Sequence, residues 1–109
     1  MIGIIVPAHN EEDFLDDCIK SLVAASGHED LGGEAVEILI MLDDCSDDSE
    51  RIARSHDVLV HACQHRNVGM TRAAGAQLML ERGARWLAFT DADTVVPYAW
   101  LSEQVAFGV

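Results

Sequence analysis

The chain has 109 residues, of which 50% are hydrophobic and 24% are charged, a balance that predicts a globular domain and excludes a disordered segment. Its formal charge of −12, from 19 acidic residues against 7 lysines and arginines, argues against a nucleic-acid-binding protein. No run approaches the ~20 apolar residues of a membrane span, and the amino terminus lacks the basic segment of a signal peptide. The three cysteines have no zinc-ligand spacing, so we expect reduced thiols and a cytoplasmic location.

The first quarter of the chain predicts a strand followed at once by a helix. Residues 2–6 are a short β-branched run that ends at Pro7, which is typical of a buried strand. Apolar residues recur at helical spacing from Glu11 to about Ser26, with Asn10 as the N-cap and acidic residues in the first turn. This junction has no glycine and is rich in carboxylates. It therefore excludes a Rossmann or Walker loop, which binds phosphate through backbone N–H groups.

The rest of the chain repeats this alternation of strand and helix. Residues 36–42, 58–62 and 86–90 predict three more strands. A helix is expected after each of them, and the last two would cover about residues 70–82 and 98–107. Strands and helices in alternation predict an α/β fold with a mainly parallel sheet.

Local signals also predict where the inner helices begin and end. Ser46 or Asp47 would cap the second helix, with Glu50 completing a capping box behind Asp47. The small residues around Gly75 would let the third helix pack closely on the sheet. Gly83 would be the left-handed residue just past its end.

Polar and acidic residues follow three of the predicted strands at their carboxyl ends. They are Asn10 with Glu11, Asp43 with Asp44, and Asp91 with Asp93. Right-handed crossovers place these strand ends at one edge of the sheet, where open parallel sheets bind ligands. So many carboxylates repel one another, and a divalent cation would compensate them. An all-oxygen site favours Mg²⁺ or Mn²⁺ over zinc.

The pair Asp91 and Asp93 permits two interpretations. On extended backbone, residues i and i+2 project to the same side, about 6–7 Å apart at Cα, so two carboxylates would share one cation or one polar ligand. A turn is the alternative, because aspartate is common in turns and at strand ends.

Four segments carry these features in order. They are Val6-Pro7-Ala8-His9-Asn10-Glu11-Glu12, Leu42-Asp43-Asp44-Cys45-Ser46-Asp47-Asp48, Asn67-Val68-Gly69 with Arg72 and Gly75, and Phe89-Thr90-Asp91-Ala92-Asp93. In this order they resemble the motifs of family 2 glycosyltransferases of GT-A fold, and the resemblance covers nearly the whole chain. It implies a Rossmann-like three-layer α/β/α arrangement, a truncated GT-A fold whose four-stranded, mainly parallel sheet has the order 3-2-1-4.

The resemblance also implies a site for a nucleoside-diphosphate sugar, with UDP as the expected nucleotide. The implied substrate-binding residues are Pro7, Ala8, His9, Asn10, Glu11, Asp43, Asp44, Arg72, Asp91 and Ala92, and the implied metal ligands are Asp93 and Asp91. Asp44 would accept from the base, Arg72 would lie near the base or diphosphate, and Asp91 would face the ribose. Mg²⁺ or Mn²⁺ would act as a Lewis acid that stabilises the leaving nucleoside diphosphate.

The sequence departs from the family pattern in composition and in length. Ala8-His9 stands where Thr-Tyr is common, and Ala73 stands where Asn often follows the arginine, which leaves the donor sugar and base open. The family continues well past the Asp-x-Asp segment, into elements that bind the acceptor and carry the general base. We therefore expect residues 1–109 to be a single nucleotide-sugar-binding domain without the acceptor-binding half and with no assigned catalytic residue. Whether it acts as an enzyme by itself is left open.

Two other functions fit parts of the pattern. The first is a nucleotide- or metal-binding module without transfer activity. The second is a hydrolase that uses Asp91 and Asp93 as an acid/base pair. This second function leaves Asp43, Asp44 and Arg72 without a role.

The implied sheet order also has a consequence for assembly. The strand at residues 86–90 would pair on one side only, which leaves N–H and C=O groups unpaired along an apolar edge. We therefore expect self-association that covers this edge.

Overall fold

The computed structural model describes residues 1–107. It contains four strands, β1 (Ile2–Ala8), β2 (Val36–Asp43), β3 (Leu59–Cys63) and β4 (Trp86–Phe89). The helices that alternate with them are α1 (Leu15–Ser26), α2 (Ser49–Arg54), α3 (Val68–Glu81) and α4 (Trp100–Phe107), with one 3-10 turn at Glu29–Leu31. The predicted alternation is confirmed. None of the helices in this part of the chain is long and apolar enough to cross a membrane.

The strands form one parallel sheet in the order β3-β2-β1-β4, which confirms the order implied by the resemblance. β1 is central, and all of its residues are buried. It pairs residue for residue with β2, from Ile2 opposite Val36 to Ala8 opposite Leu42. Because β1 is covered on both faces, its sequence is continuously apolar. This register brings the carboxyl ends of the two strands side by side.

Alternate residues of β1 pack into two cores, because successive side chains of a strand point to opposite faces of the sheet. Ile4 and Val6 pack in one core with Leu15 and other residues of α1. Ile5 packs in the other core with Met79 of α3. The result is the predicted three-layer α/β/α arrangement.

Helix α3 lies against the sheet at Gly75, as predicted. A Cβ atom added there would lie 2.6 Å from Ile5 Cγ2 and 3.1 Å from Met41 Cγ, so this approach requires glycine. Gly83 follows the helix with φ of 94°, the left-handed residue expected just past its end.

The starts of α1 and α2 differ from their predicted positions. Helix α1 begins at Leu15 and not at Glu11, and Asn10 is not its N-cap. Asn10 has φ of 52°, and its side chain accepts hydrogen bonds from the loop after β2. Helix α2 begins at Ser49, and Asp48 at its N-cap position makes no capping hydrogen bond. The prediction for Asn10 was wrong because its side chain binds the loop after β2. Asp47 does not occupy the N-cap position of α2, but its Oδ1 accepts a hydrogen bond from the N–H of Ser49, the first residue of that helix, at 2.9 Å.

The remaining differences are smaller. The predicted capping box is absent, since Glu50 accepts a hydrogen bond from Arg54 one turn later in α2. Helix α3 begins slightly earlier than predicted, at Val68, because the Asn67 side chain caps it by accepting from Met70 N–H at 2.9 Å. Shifts of one or two residues at strand and helix ends are ordinary.

The outer edge of β4 pairs with no other strand within residues 1–107. Phe89 at the end of this strand is 42% exposed. The expected self-association through this edge stays a prediction.

Candidate functional site

Two adjoining clefts lie at the carboxyl edge of the sheet. The first, here named the Asp93 cleft, has a volume of about 210 Å³ and is lined by Pro7, Ala8, His9, Glu11, Asp43, Val68, Asp91, Ala92 and Asp93. The second, the Asp44 cleft, has a volume of about 490 Å³ and is lined by His9, Asp43, Asp44, Arg66, Asn67 and Val68. His9, Asp43 and Val68 line both clefts, so the two form one extended site.

The structure brings most of the predicted site residues together. Among the described residues, Asn10 and Arg72 are the predicted site residues that line neither cleft. Sequence analysis missed Arg66, which lies in the loop after β3 beside the helix cap Asn67. Ligands bind at the carboxyl ends of parallel strands, and this rule also selects the loop after β3, because β3 is parallel to β2 and ends at the same edge of the sheet.

The β1–α1 and β2–α2 loops are joined by hydrogen bonds in both directions. Asn10 Oδ1 accepts from the backbone N–H groups of Ser46 and Asp47 at 2.8 and 3.3 Å. Three further bonds run from Glu12 N–H to Asp47 Oδ2 at 3.1 Å, from Asp48 N–H to Glu12 Oε2 at 3.1 Å and from Glu11 N–H to Ser49 Oγ at 2.9 Å. These bonds make the two loops one unit, which carries Glu11 and Asp44 to the clefts.

Asp43 organises the loop after β3. It is only 5% exposed, and its carboxylate accepts from the N–H groups of Arg66 and Asn67 and from the Thr71 hydroxyl, at 2.9, 3.1 and 2.9 Å. Burial raises the pKa of Asp43, but these hydrogen bonds outweigh burial and hold the pKa below its ordinary value. The carboxylate is therefore engaged inside the protein, and its predicted contact with substrate stays a prediction.

His9 stands between the two clefts in a defined orientation. Its Nδ1 lies 2.8 Å from the backbone oxygen of Asp43. A carbonyl oxygen only accepts hydrogen bonds, so Nδ1 carries a proton and the Nε2 atom of the neutral ring is an acceptor. This bond ties the β1–α1 loop to the end of β2.

Asp91 and Asp93 lie in a turn and not on extended backbone. Strand β4 ends at Phe89, and Thr94 N–H donates to the Asp91 carbonyl oxygen at 3.1 Å. The extended interpretation was wrong, although both carboxylates are exposed in the same cleft while Ala92 is buried.

Cys18 lies beneath this turn with its Sγ 3.6 Å from the Asp91 carbonyl oxygen. Burial, together with the charge of Asp93, raises the pKa of the Cys18 thiol to about 11, so it stays protonated.

The Asp93 cleft concentrates negative charge. Burial raises the pKa of Glu11, and the carboxylates of Asp93 and Asp47 raise it further. Within the described chain no ion pair neutralises Asp93.

Residues 1–107 contain no group of three or more His, Cys, Asp or Glu side chains arranged to hold a metal. Two exposed carboxylates nevertheless fit Mg²⁺, which usually takes one or two protein carboxylates together with substrate phosphates.

Two of the aspartates that the resemblance assigns to the nucleotide, Asp44 and Asp91, are each paired with an arginine side chain. Arg66 Nε donates to Asp44 Oδ2 at 2.7 Å, and Arg72 Nη2 donates to Asp91 Oδ1 at 2.7 Å. Both arginines come from the β3–α3 segment, which therefore supplies positive charge to a site that is otherwise acidic.

The chain matches the sequence profile described as Glycosyl transferase family 2 over residues 3–107, and it belongs to that family. It is 28% identical over 102 residues to the uncharacterized glycosyltransferase EpsJ of Bacillus subtilis (strain 168). The alignment covers 91% of this chain and 28% of that protein.

Two solved structures share the fold. S. aureus TarS 1–349 in complex with UDP-GlcNAc superposes with a TM-score of 0.74 at 19% identity, over 97% of this chain and 30% of TarS 1–349. The mannosyltransferase PcManGT from Pyrobaculum calidifontis in complex with GDP-Man and Mn²⁺ gives a TM-score of 0.66 at 19% identity, over 95% of this chain and 31% of PcManGT. This chain spans less than a third of the length of each of these relatives.

Proposed function

We propose that residues 1–109 form a single domain that binds a nucleoside-diphosphate sugar, with UDP as the nucleotide, together with Mg²⁺ or Mn²⁺. The domain would be the donor-binding part of a glycosyltransferase that transfers the sugar to an acceptor. The observation that carries this proposal is the pair of adjoining clefts, which unites nine of the eleven predicted site residues at one edge of the sheet. The three cysteines are free, in keeping with the expected cytoplasmic location.

The two clefts divide the roles of the site residues. The larger Asp44 cleft has room for the base, and Asp44 would accept a hydrogen bond from it. The Asp93 cleft would take the ribose and diphosphate, with His9 at the boundary. Asp91 and Asp93 would hold the cation, which when bound stabilises the negative charge on the leaving nucleoside diphosphate. The solved relatives with UDP-GlcNAc and with GDP-Man and Mn²⁺ support this proposal.

Binding measured by calorimetry tests the proposal. UDP should bind clearly more tightly with MnCl₂ or MgCl₂ than with EDTA, and Asp93→Asn should remove most of this difference. Asp57→Asn is the control, because Asp57 is exposed and precedes β3, at the opposite edge of the sheet. Tight, metal-independent UDP binding that is unchanged in Asp93→Asn would contradict the proposal.

A second assay separates an enzyme from a binding module. The purified chain should release UDP from UDP-sugars at most slowly and should transfer no sugar. No general base is assigned among residues 1–107, and a reaction without one is slower by a factor of roughly 10²–10⁴. Robust transfer to any acceptor would show that the domain is catalytically complete.

A further inference from the structure

The turn that carries Asp93 is anchored on both sides of this residue. Ala92 and Val96 are buried, at 2% and 7% exposure, and residues 93–95 between them are exposed. Within residues 1–107 the only hydrogen bond to the Asp93 carboxylate comes from the hydroxyl of the neighbouring Thr94, at a long distance of 3.5 Å. The position of this carboxylate therefore depends on how the backbone of the turn is held.

Helix α1 supplies two polar anchors for the turn. Ser21 Oγ accepts a hydrogen bond from the Val96 N–H at 3.0 Å, on one side of Asp93. Cys18 Sγ lies 3.6 Å from the Asp91 carbonyl oxygen, on the other side. Cys18 and Ser21 are three residues apart, so they lie on the same face of the helix. Ser21 makes the stronger of the two contacts, because a thiol is a weak donor.

The Ser21 hydroxyl is oriented for this contact. It donates to the Cys18 carbonyl oxygen at 2.7 Å, one turn earlier in α1. Because its proton is committed to that oxygen, Oγ keeps its lone pairs for the Val96 N–H. A serine that bonds to the helix backbone in this way does not strengthen the helix. The contact with Val96, and not the helix, therefore accounts for a half-buried serine at this position.

The same helix is joined to another carboxylate of the Asp93 cleft. The Glu11 carbonyl oxygen accepts from the Leu15 N–H at 2.9 Å, at the start of α1, and the Glu11 side chain lines the cleft. Glu11 is also held by Ser49 of α2. Helix α1 is therefore a common support for carboxylates that reach the cleft from two different loops.

We propose that Ser21 is a positioning residue that fixes Asp93 for a divalent cation, an inference that rests on the proposed function. Ser21 touches neither the cation nor the nucleotide in this role. It holds the Val96 N–H, which restricts the backbone of residues 93–95 and keeps the carboxylates of Asp91 and Asp93 in one cleft. Without this hydrogen bond the turn would sample more conformations, and cation binding would have to order it again.

Mn²⁺ binding, followed by the electron paramagnetic resonance signal of free Mn²⁺, tests this role. Ser21→Ala should raise the Mn²⁺ dissociation constant about tenfold, the lower end of the range for residues that support metal ligands from outside. Ser21→Thr keeps the hydroxyl and should bind Mn²⁺ like the wild type. Amide exchange at Val96 should be faster in Ser21→Ala than in the wild type, because the N–H loses its acceptor.

Ser26→Ala is the matched control. Ser26 Oγ donates to the Leu22 carbonyl oxygen at 2.7 Å, one turn earlier in the same helix, and within residues 1–107 it accepts no hydrogen bond. It lines a separate cavity near the starts of β2 and β3. This variant should leave Mn²⁺ binding unchanged, and urea unfolding should show that all variants are folded under the conditions of the titration.

The Asp93→Asn background separates positioning from a general effect on the fold. In this background Ser21→Ala should change the remaining Mn²⁺ affinity by less than about twofold, because the carboxylate that Ser21 positions is gone. A purely structural weakening would lower the affinity by the same factor in both backgrounds.

The possible results separate the two levels of the proposal. If Ser21→Ala is folded and binds Mn²⁺ as tightly as the wild type, or if Ser26→Ala loses the same affinity, the role of Ser21 is overturned and the proposed function stands. An equal loss with Asp93 and with Asn at that position also overturns the role of Ser21. A wild type that does not bind Mn²⁺ overturns both.

Discussion

Arg72 Nη2 donates to Asp91 Oδ1 across 2.7 Å, so a guanidinium from α3 holds one carboxylate of the Asp93 cleft. The two side chains are 39% and 59% exposed, and such a pair opens at little cost. Asp91 can therefore exchange its contact with Arg72 for a cation without a large rearrangement. In this arrangement Arg72 supplies positive charge beside the place proposed for the diphosphate.

Replacing Arg72 by Gln should have opposite effects on the two proposed ligands. Mn²⁺ alone should bind a few-fold more tightly, because a competing cation next to Asp91 is removed. UDP in saturating Mn²⁺ should bind a few-fold more weakly, because a positive charge beside the diphosphate is lost. Free Mn²⁺ measured by electron paramagnetic resonance and UDP binding measured by calorimetry check the two effects. Arg54→Gln, which removes an exposed arginine from α2, should change neither. A loss of both affinities would contradict the exchange.

Replacing Asp43 by Ala should destabilise the fold far more than replacing its neighbour Asp44. The change leaves the buried Thr71 hydroxyl and the partly buried N–H groups of Arg66 and Asn67 without their acceptor. Unsatisfied groups of this kind cost ~1–3 kcal/mol each, so we expect a loss of roughly 2–5 kcal/mol. Asp44→Ala removes a single exposed pair and should cost less than about 1 kcal/mol. Urea unfolding measures both, and equal losses would show that Asp43 does not organise the loop.

Acid should weaken the contact that joins the starts of β1 and β4. Glu34 accepts from Arg85 Nε and Nη2 at 2.7 and 2.6 Å and lies 3.2 Å from the amino terminus of Met1. The hydrogen bond from Arg85 lowers the pKa of Glu34 to about 2, with burial opposing and the amino terminus adding to the effect. Because the folded pKa is below the ordinary value of 4.5, the stabilisation is fully present above pH 4.5 and is lost as the pH falls through about 2.

The variant Glu34→Gln should therefore be less stable than the wild type at pH 6, and the difference should shrink between pH 4.5 and pH 2. Thermal unfolding midpoints across this range measure it. Glu103→Gln removes an exposed acid of α4 and is the control. A difference between Glu34→Gln and the wild type that stays constant down to pH 2 would rule out the titration of Glu34 as its cause.

The outer edge of β4 should mediate self-association of the purified chain. The strand pairs with β1 on one side only within the described residues, and Phe89 at its end is exposed. A specific interface should bury at least ~1,000 Å² in total. Phe89→Lys should weaken it, because an edge lysine opposes strand pairing. Light scattering that shows a monomer at high concentration, with fast amide exchange throughout Trp86–Phe89, would refute the prediction.

Local patterns in the sequence were sufficient for the strands and for the edge of the sheet at which the candidate residues lie. The apolar runs at residues 2–6 and 36–42 predict β1 and β2 to within two residues, because burial on both faces requires a continuous apolar strand. Parallel strands joined by right-handed crossovers end at one edge, so the sequence places residues such as Asp44 and Asp93 at the same edge of the sheet. The strand order came from the resemblance to the family and is confirmed.

The sequence by itself therefore determined the elements and the edge at which the acidic residues collect, while the tertiary structure decided which polar groups pair. Asn10 binds the N–H of Ser46, 36 residues away, and Asp44 binds Arg66, 22 residues away. Helix-capping rules consider only residues that are close in sequence. They therefore predicted that Asn10 caps the helix that follows it, and they predicted no hydrogen-bond partner for Asp44. A buried polar side chain forms hydrogen bonds with the complementary groups that folding brings close to it. The distance between two such groups in space cannot be read from their separation along the chain.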